Sequence, residues 1–143
     1  MGHRLTGAIL ALGLAALPCA GAAAPDVVPV VSAKSHVRDL SSVQVADIFL
    51  GKTSSFPDGT QAVPIDQSED SPVREKFYAH FTGKSPAQLK AYWSRIIFTG
   101  RGQPPRQVAG SAEAKKLVAQ NPNAIAYIDS SQVDDTVRVV DGH

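Results

Sequence analysis

Cysteine is almost absent from this chain of 143 residues, and its one thiol, Cys19, lies in a segment predicted below to be removed. The remaining chain therefore has no disulfide, no thiolate nucleophile and no cysteine-based metal site. The four histidines, His3, His36, His80 and His143, show no i, i+4 or other close pairing. Metal sites use such pairs, so neither a metal nor another cofactor is expected.

Catalytic motifs and a strong net charge are also missing. No Gly-x-Ser-x-Gly turn precedes a helix, and no histidine stands in a triad-like context, so we do not expect an enzyme. Fourteen Lys and Arg against thirteen Asp and Glu give a formal net charge of +1, with the two signs well mixed. This balance argues against nonspecific binding of nucleic acid.

The chain has one long apolar run, and it lies at the N-terminus. Arg4 precedes an apolar stretch over 7–17, and residues 20–22 (Ala-Gly-Ala) are the small residues that a signal peptidase recognises. These features predict a signal peptide over residues 1–22, cleaved near Ala22. The run is too short to span a bilayer as a stable helix, so no membrane span is expected.

Two other outcomes for this leader fit the residues less well. Cleavage after Ala24 would place Pro25 directly beyond the cut, and lipidation of Cys19 would need a small residue where Pro18 stands. The sequence therefore predicts an exported, periplasmic protein with a single domain over residues 23–143.

Helix start signals alternate with β-branched runs along that domain. Ser41 with Gln44, and Ser85 with Gln88, have the spacing of capping boxes, and Ser71 is followed by proline at the first helical position. The patterns predict strands over 27–32, 62–66, 124–128 and 137–140, and helices over 41–50, 71–82, 85–98 and 111–120.

The resulting order, β, α, β, α, α, α, β, β, predicts an α/β domain built as three layers or as an open two-layer sandwich. Pro29 and Pro64 lie within the first two strands. Because proline cannot donate to a strand ladder, both strands are predicted near sheet edges. The third helix carries an apolar stripe at spacings of three and four, which predicts a core-facing side: Leu89, Tyr92, Trp93, Ile96 and Ile97.

Three segments form a specific combination: 47–52 (Asp-Ile-Phe-Leu-Gly-Lys), 98–102 (Phe-Thr-Gly-Arg-Gly) and 121–128 (Asn-Pro-Asn-Ala-Ile-Ala-Tyr-Ile). In this order and spacing they resemble the phosphate-binding proteins of ABC transporters over nearly the whole domain. The resemblance implies an α/β fold of the type 2 class: a single periplasmic-binding-protein-like lobe with a mixed sheet flanked by helices. Full-length members close two such lobes around an oxyanion.

The family holds its anion with an Arg-Ser-Asp-Gly-Ser-Gly-Thr loop that opens a helix. The matching segment here, 67–73, reads Gln-Ser-Glu-Asp-Ser-Pro-Val. Ser68 and Ser71 are kept, whereas Gln67 replaces the arginine, and an aspartate and a proline replace two glycines. The resemblance thus implies oxyanion contacts from Gln67, Ser68 and Ser71, with less positive charge than in the family.

The residues themselves also indicate two anion-binding candidates. The helix entrance at Ser71 presents unpaired backbone N–H groups, and Arg74 one turn later adds a charge. Gly100, Arg101 and Gly102 form the second, because glycines let amides approach a ligand and arginine forks onto phosphate or carboxylate. Each candidate has a structural alternative, since Ser71 also fits a helix cap and Gly100 a helix C-cap.

Two functions follow from these observations. The leading hypothesis is an exported relative of phosphate-binding proteins that binds phosphate or another small oxyanion without catalysis, working with an ABC transporter. A homodimer would rebuild a two-faced cleft. The alternative is an interaction module that keeps the fold, has lost the ligand and contacts another envelope protein. Neither hypothesis involves nucleic acid.

Overall fold

The computed structural model describes Gly2 and residues 26–140. The predicted signal peptide, except Gly2, and its cleavage point near Ala22 lie outside the described residues. From Val27 onward the secondary-structure elements follow one another in the order β1 (Val27–Ser32), α1 (Ser42–Phe49), β2 (Val63–Gln67), α2 (Pro72–Thr82), α3 (Pro86–Phe98), β3 (Arg106–Val108), α4 (Ser111–Gln120), β4 (Ala124–Asp129), a 3-10 turn (Ser130–Gln132) and β5 (Val137–Val139).

Local signals fix the helix starts, as the sequence predicts. Ser41 Oγ accepts from the backbone N–H of Gln44 at 3.1 Å while the Gln44 side chain accepts from Ser41 N–H at 2.9 Å. The same reciprocal pair joins Ser85 and Gln88 at 3.2 and 2.9 Å. Ser71 caps α2, with proline at the first helical position. Each cap satisfies an amide that the first helical turn leaves unpaired.

The five strands form one mixed sheet in the order β3-β2-β4-β1-β5, and the predicted α/β lobe with a mixed sheet flanked by helices is confirmed. Strands β3, β2 and β4 run parallel, and β1 pairs antiparallel with both β4 and β5. Strand β3 was not predicted. It has three residues, too few to show a period, and it exists because it pairs with β2 along 65–67.

Alternation along the strands divides the core between the two faces of the sheet. Val31 and Tyr127 point to the side that packs against α1, α2 and α3. Val30 and Ala126 point to the opposite side, where α4 packs through residues such as Val118. Of the two predicted arrangements, the three-layer one is therefore correct.

The expectation that β1 and β2 lie at sheet edges is wrong, since both are internal strands. Val140 donates to the carbonyl of Pro29, so the proline nitrogen faces the end of β5, beyond its last residue Val139. Val63 donates towards β4, so the nitrogen of Pro64 faces the β3 side, where β3 pairs only from Ile65 onward. Each proline nitrogen thus faces a position where no strand residue would accept a hydrogen bond. Proline is therefore tolerated in an internal strand when the neighbouring strand does not extend alongside it.

The predicted apolar stripe of α3 is confirmed in its centre and wrong at its margin. Leu89 and Trp93 are buried, whereas Ile97 is 55% exposed. Successive helical residues are rotated by about 100°, which places Ile97 on the flank of a stripe centred on Leu89, Trp93 and Ile96.

We expect Phe77→Ala to lower the free energy of unfolding by about 3–5 kcal/mol, because it deletes a fully buried ring. That ring stacks on Tyr127 at a centroid distance of 4.0 Å and meets Phe49 edge-on at 4.8 Å. Phe98→Ala is the matched control, since Phe98 is 92% exposed and should change stability by no more than about 0.5 kcal/mol. Urea denaturation measures both, and equal losses would contradict the assigned core.

Candidate functional site

The carboxyl ends of β2 and β3 form a topological switch point. The chain leaves β2 into α2 on one face of the sheet and leaves β3 into α4 on the other face. In open α/β sheets, ligands bind in the crevice outside the strand ends at such a point. Both helices present their N-termini there, so this crevice is the place in the fold best suited to an anion.

Gln67 lies buried at this switch point and links the first residues of the two helices. Its side chain is fully buried, and its Oε1 accepts from Ser71 Oγ at 2.7 Å. Its Nε2 donates to Ser111 Oγ at 3.3 Å and to the carbonyl of Tyr127 at 3.0 Å. Ser71 caps α2 and Ser111 begins α4. The amide therefore takes up the hydroxyl proton of Ser71, whereas Ser111 Oγ accepts from Gln67 and from the Asp129 N–H and keeps its own proton.

The hydrogen-bond donors of Ser68, in the loop between β2 and α2, are also bonded within the protein. Ser68 N–H donates to the carbonyl of Val108 at 2.9 Å, and Ser68 Oγ donates to the carboxylate of Asp70. This hydroxyl lowers the pKa of Asp70, so the loop carries negative charge at neutral pH. Glu69 adds a second exposed carboxylate. The loop thus has the geometry of an anion site but not its charge.

Beneath the loop lies a buried polar cluster centred on Asp66, which is 1% exposed. Arg74 Nε lies 3.4 Å from its Oδ1, and Tyr78 OH donates to Oδ2 at 2.9 Å. The hydroxyl of Tyr127 and the backbone N–H of Gln67 both donate to Oδ1. Arg74 is therefore matched by a carboxylate, so its charge is shared with Asp66.

Sequence reasoning missed Asp66, Tyr78 and Tyr127 as polar partners. A signal was present, since Asp66 directly follows the apolar residues 63–65 of β2 and Tyr127 lies between apolar residues of β4. A charged group in such a place needs partners. Which residues supply them depends on contacts across 12 and 61 positions of the chain.

The segment 100–102 closes α3 and lies apart from the crevice. Gly100 has φ +67°, and it donates its N–H to the carbonyl of Ile97 while Arg101 donates to that of Ile96, both at 3.1 Å. These two bonds form a Schellman motif. The amides of Gly100 and Arg101 are therefore used in capping the helix.

Arg101 and Gly102 line a groove of about 450 Å³ together with Lys52, Trp93 and Arg95. No residue of 67–71 and no Asp or Glu lines this basic groove, within the described chain. The structure thus brings Gln67, Ser68 and Ser71 together, sets Arg74 beneath them and places residues 100–102 elsewhere.

Two further properties concern the part of the chain that the structure describes. No group of three or more His, Cys, Asp or Glu residues is arranged to hold a metal there. In the same part, none of the helices combines the length and the apolar character needed to cross a bilayer.

Comparison with solved structures identifies the fold. A Clostridium perfringens protein assigned as a phosphate ABC transporter substrate-binding protein, solved with bound phosphate, matches 82% of this chain and 44% of its own, with 26% identity and a TM-score of 0.66. The chain is thus similar to one lobe of such proteins. No protein-family model and no curated protein matches the sequence.

Other structures of this kind also match over somewhat less than half of their length. An ABC-type phosphate transport receptor from Vibrio cholerae matches with 18% identity and a TM-score of 0.63, over 82% of this chain and 46% of its own. PstS from Borrelia burgdorferi matches with 11% identity and a TM-score of 0.62, over 82% and 47%. At these identities the likeness concerns the fold. The lobe spans somewhat less than half the length of each structure.

The two buried tyrosines predict a loss of stability in alkali. Burial first, and then the charge of Asp66, raise the pKa of Tyr78 and of Tyr127 far above the ordinary value of 10.0. Both stay protonated in the fold while the unfolded chain ionises. Their contribution is complete below pH 10 and is lost as pH rises, by about 1.4 kcal/mol per pH unit for each tyrosine.

Urea titrations at pH values above 10 should show this slope, and Tyr78→Phe should remove about half of it. Tyr92→Phe is the matched control, because Tyr92 is only partly buried and its pKa is raised less strongly. Tyrosinate absorbance from all three tyrosines near pH 10 in the folded protein would contradict this assignment.

Proposed function

We propose that this lobe is an exported, periplasmic domain that binds a small oxyanion, phosphate first, without catalysing a reaction. The observation that carries the proposal is the meeting of the α2 and α4 N-termini at the switch point of a lobe whose Clostridium perfringens relative was solved with bound phosphate. Ser68, Ser71 and Ser111 supply hydroxyl groups beside these N-termini. The structures that share the fold are described as binding or transport proteins, which supports a non-enzymatic role.

The charges around the crevice favour weak binding. Glu69 and Asp70 repel an anion, and Arg74 already faces Asp66. An oxyanion must also compete with Gln67 for the hydroxyl of Ser71. We therefore place the affinity well below that expected of a loop with the family arginine, and we propose that a partner supplies the second face of the cleft. A second copy of the chain or a subunit of an ABC transporter would serve.

Isothermal titration of the refolded, phosphate-free protein at low salt tests the crevice directly. We expect Ser71→Ala to weaken phosphate binding by about 2- to 10-fold, because one hydrogen-bonding hydroxyl is lost. Arg101→Ala should leave the affinity unchanged, since Arg101 lies in the basic groove. Weaker binding by Arg101→Ala with Ser71→Ala unchanged would assign the anion site to that groove. If neither variant changes the affinity, both positions are refuted.

The repulsion argument makes a separate prediction. Asp70→Asn should strengthen phosphate binding by roughly 2- to 5-fold at low salt, because it removes a like charge close to the anion. Asp58→Asn is the matched control: Asp58 is an exposed carboxylate whose pKa is likewise lowered by a neighbouring hydroxyl, that of Thr60. Equal effects of the two variants would show that only overall charge matters.

A second function is favoured by one observation, the internal use of the crevice donors. Ser68 donates to Asp70, Ser71 to Gln67, and Gln67 to Ser111. A lobe of this kind suits a module that has kept the fold and contacts another envelope protein. Crosslinking in intact cells tests it. A specific partner, together with no heat on titration of phosphate or sulfate, would favour this function over oxyanion binding.

A further inference from the structure

A groove beside α3 differs in chemistry from the crevice. It has a volume of about 410 Å³ and runs between the 69–74 segment, α3 and the chain leading into β3. Much of its wall is carbon, supplied by Pro86, Ala87, Ile97 and Pro104. Small-molecule sites have this size and are mostly apolar with a few fixed polar groups. The apolar part of this wall can pack against a carbon body, which an inorganic anion lacks.

Arg74 supplies the fixed polar group. The residue is 8% exposed, its Nε lies 3.4 Å from Asp66, and its guanidinium carbon stands 5.2 Å from the centre of the Tyr78 ring. Arg74 lines the groove, and its two Nη nitrogens make no hydrogen bond within residues 26–140. Two parallel donors held in one plane match the two oxygens of a carboxylate.

Trp93 contributes an independent observation. Its side chain is 6% exposed, and its Nε1 is the one buried side-chain nitrogen or oxygen in the described chain that has no hydrogen-bond partner. Trp93 lines this groove and also the basic groove, so a molecule bound in either would lie against its indole ring.

The charged groups in and beneath the groove come in equal numbers of each sign. Arg74 and Lys90 face it, and Glu69 is the one carboxylate that lines it in the described chain. Asp66 faces Arg74 from below, on the Nε side, and leaves the outer edge of the guanidinium open. Asp66 and Glu69 thus balance Arg74 and Lys90, so the free Nη donors of Arg74, rather than a net charge, favour a carboxylate.

We propose that this groove binds a small organic monocarboxylate with an apolar body. The carboxylate lies on the outer edge of Arg74, with Lys90 adding charge, and the body packs against Ile97 and Pro104. This ligand class and most of these residues are separate from the oxyanion crevice, so either site can exist without the other.

Trp93 is the only tryptophan of the chain and lines both this groove and the basic groove, so its fluorescence detects binding and the variants below decide in which groove the ligand lies. The full exported chain is titrated at low salt with 4-methylpentanoate, with its neutral amide and with inorganic phosphate. We expect a saturable change in emission with the carboxylate and at least about tenfold weaker binding of the amide, since the amide lacks the charge. Phosphate should give no saturable change.

Two variants on the surface of the groove keep the test independent of the buried cluster. Ile97→Asp should abolish carboxylate binding, because it puts a negative charge on the apolar wall, and Lys90→Gln should weaken it several-fold. Val43→Asp is the matched control: Val43 is 68% exposed on α1 and does not line the groove, so binding should be unchanged.

Four results would overturn the proposal. They are an emission change that stays linear with concentration, equal affinities for carboxylate and amide, equal effects of Ile97→Asp and Val43→Asp, and a saturable response to phosphate alone. The last would assign the groove to an inorganic oxyanion instead.

Discussion

The buried carboxylate of Asp66 is the constraint on which the arrangement of this lobe depends. A charge in an apolar interior is tolerated only when it is hydrogen-bonded and paired. Its donors come from three elements: Arg74 and Tyr78 in α2, Tyr127 in β4 and the backbone of Gln67 in β2. Satisfying this one group therefore holds α2 against two strands of the sheet. It also fixes where the β2–α2 loop must run.

Strand alternation then determines the crevice. Because Asp66 points to the α2 face, its neighbour Gln67 points to the α4 side, where it joins Ser71 and Ser111. A glutamine can both donate and accept, so it connects two helix starts without a net charge. The crevice thus brings two helix N-termini together without a net positive charge, whereas Lys52, Arg95 and Arg101 line the basic groove beside α3.

The sequence predicted what local physics decides. Ser41, Ser71 and Ser85 mark helix starts because each cap involves residues within three positions. The periodic strands and the mixed sheet followed, and so did the resemblance to one lobe of phosphate-binding proteins. Strand β3 escaped prediction because three residues show no period. The strands that contain Pro29 and Pro64 were wrongly predicted near sheet edges. The length of the neighbouring strand decides whether a proline is tolerated, and the proline's own strand does not reveal that length.

The candidate site was predicted only in part. Gln67, Ser68 and Ser71 were named from the family resemblance, and they lie close together because they belong to one short segment. Arg74 could be named too, but its pairing with Asp66 could not, nor could the separation of residues 100–102 from the crevice. The groove lined by Arg74 and Ile97 was not predicted. The residues that line it come from segments up to 38 positions apart, from Glu69 to Gln107.

By itself, the sequence determined the four helices and four of the five strands of the described chain, because caps, turns and hydrophobic periods act over a few residues. The type of lobe followed from the resemblance to a known family. The tertiary structure alone decided which polar groups are still available to a ligand. A hydroxyl, an amide or a guanidinium has the same donors wherever it stands in the chain. Whether those donors are used depends on the partners that folding brings within about 3 Å, and hydrogen bonding falls off too steeply with distance and angle for sequence spacing to reveal it.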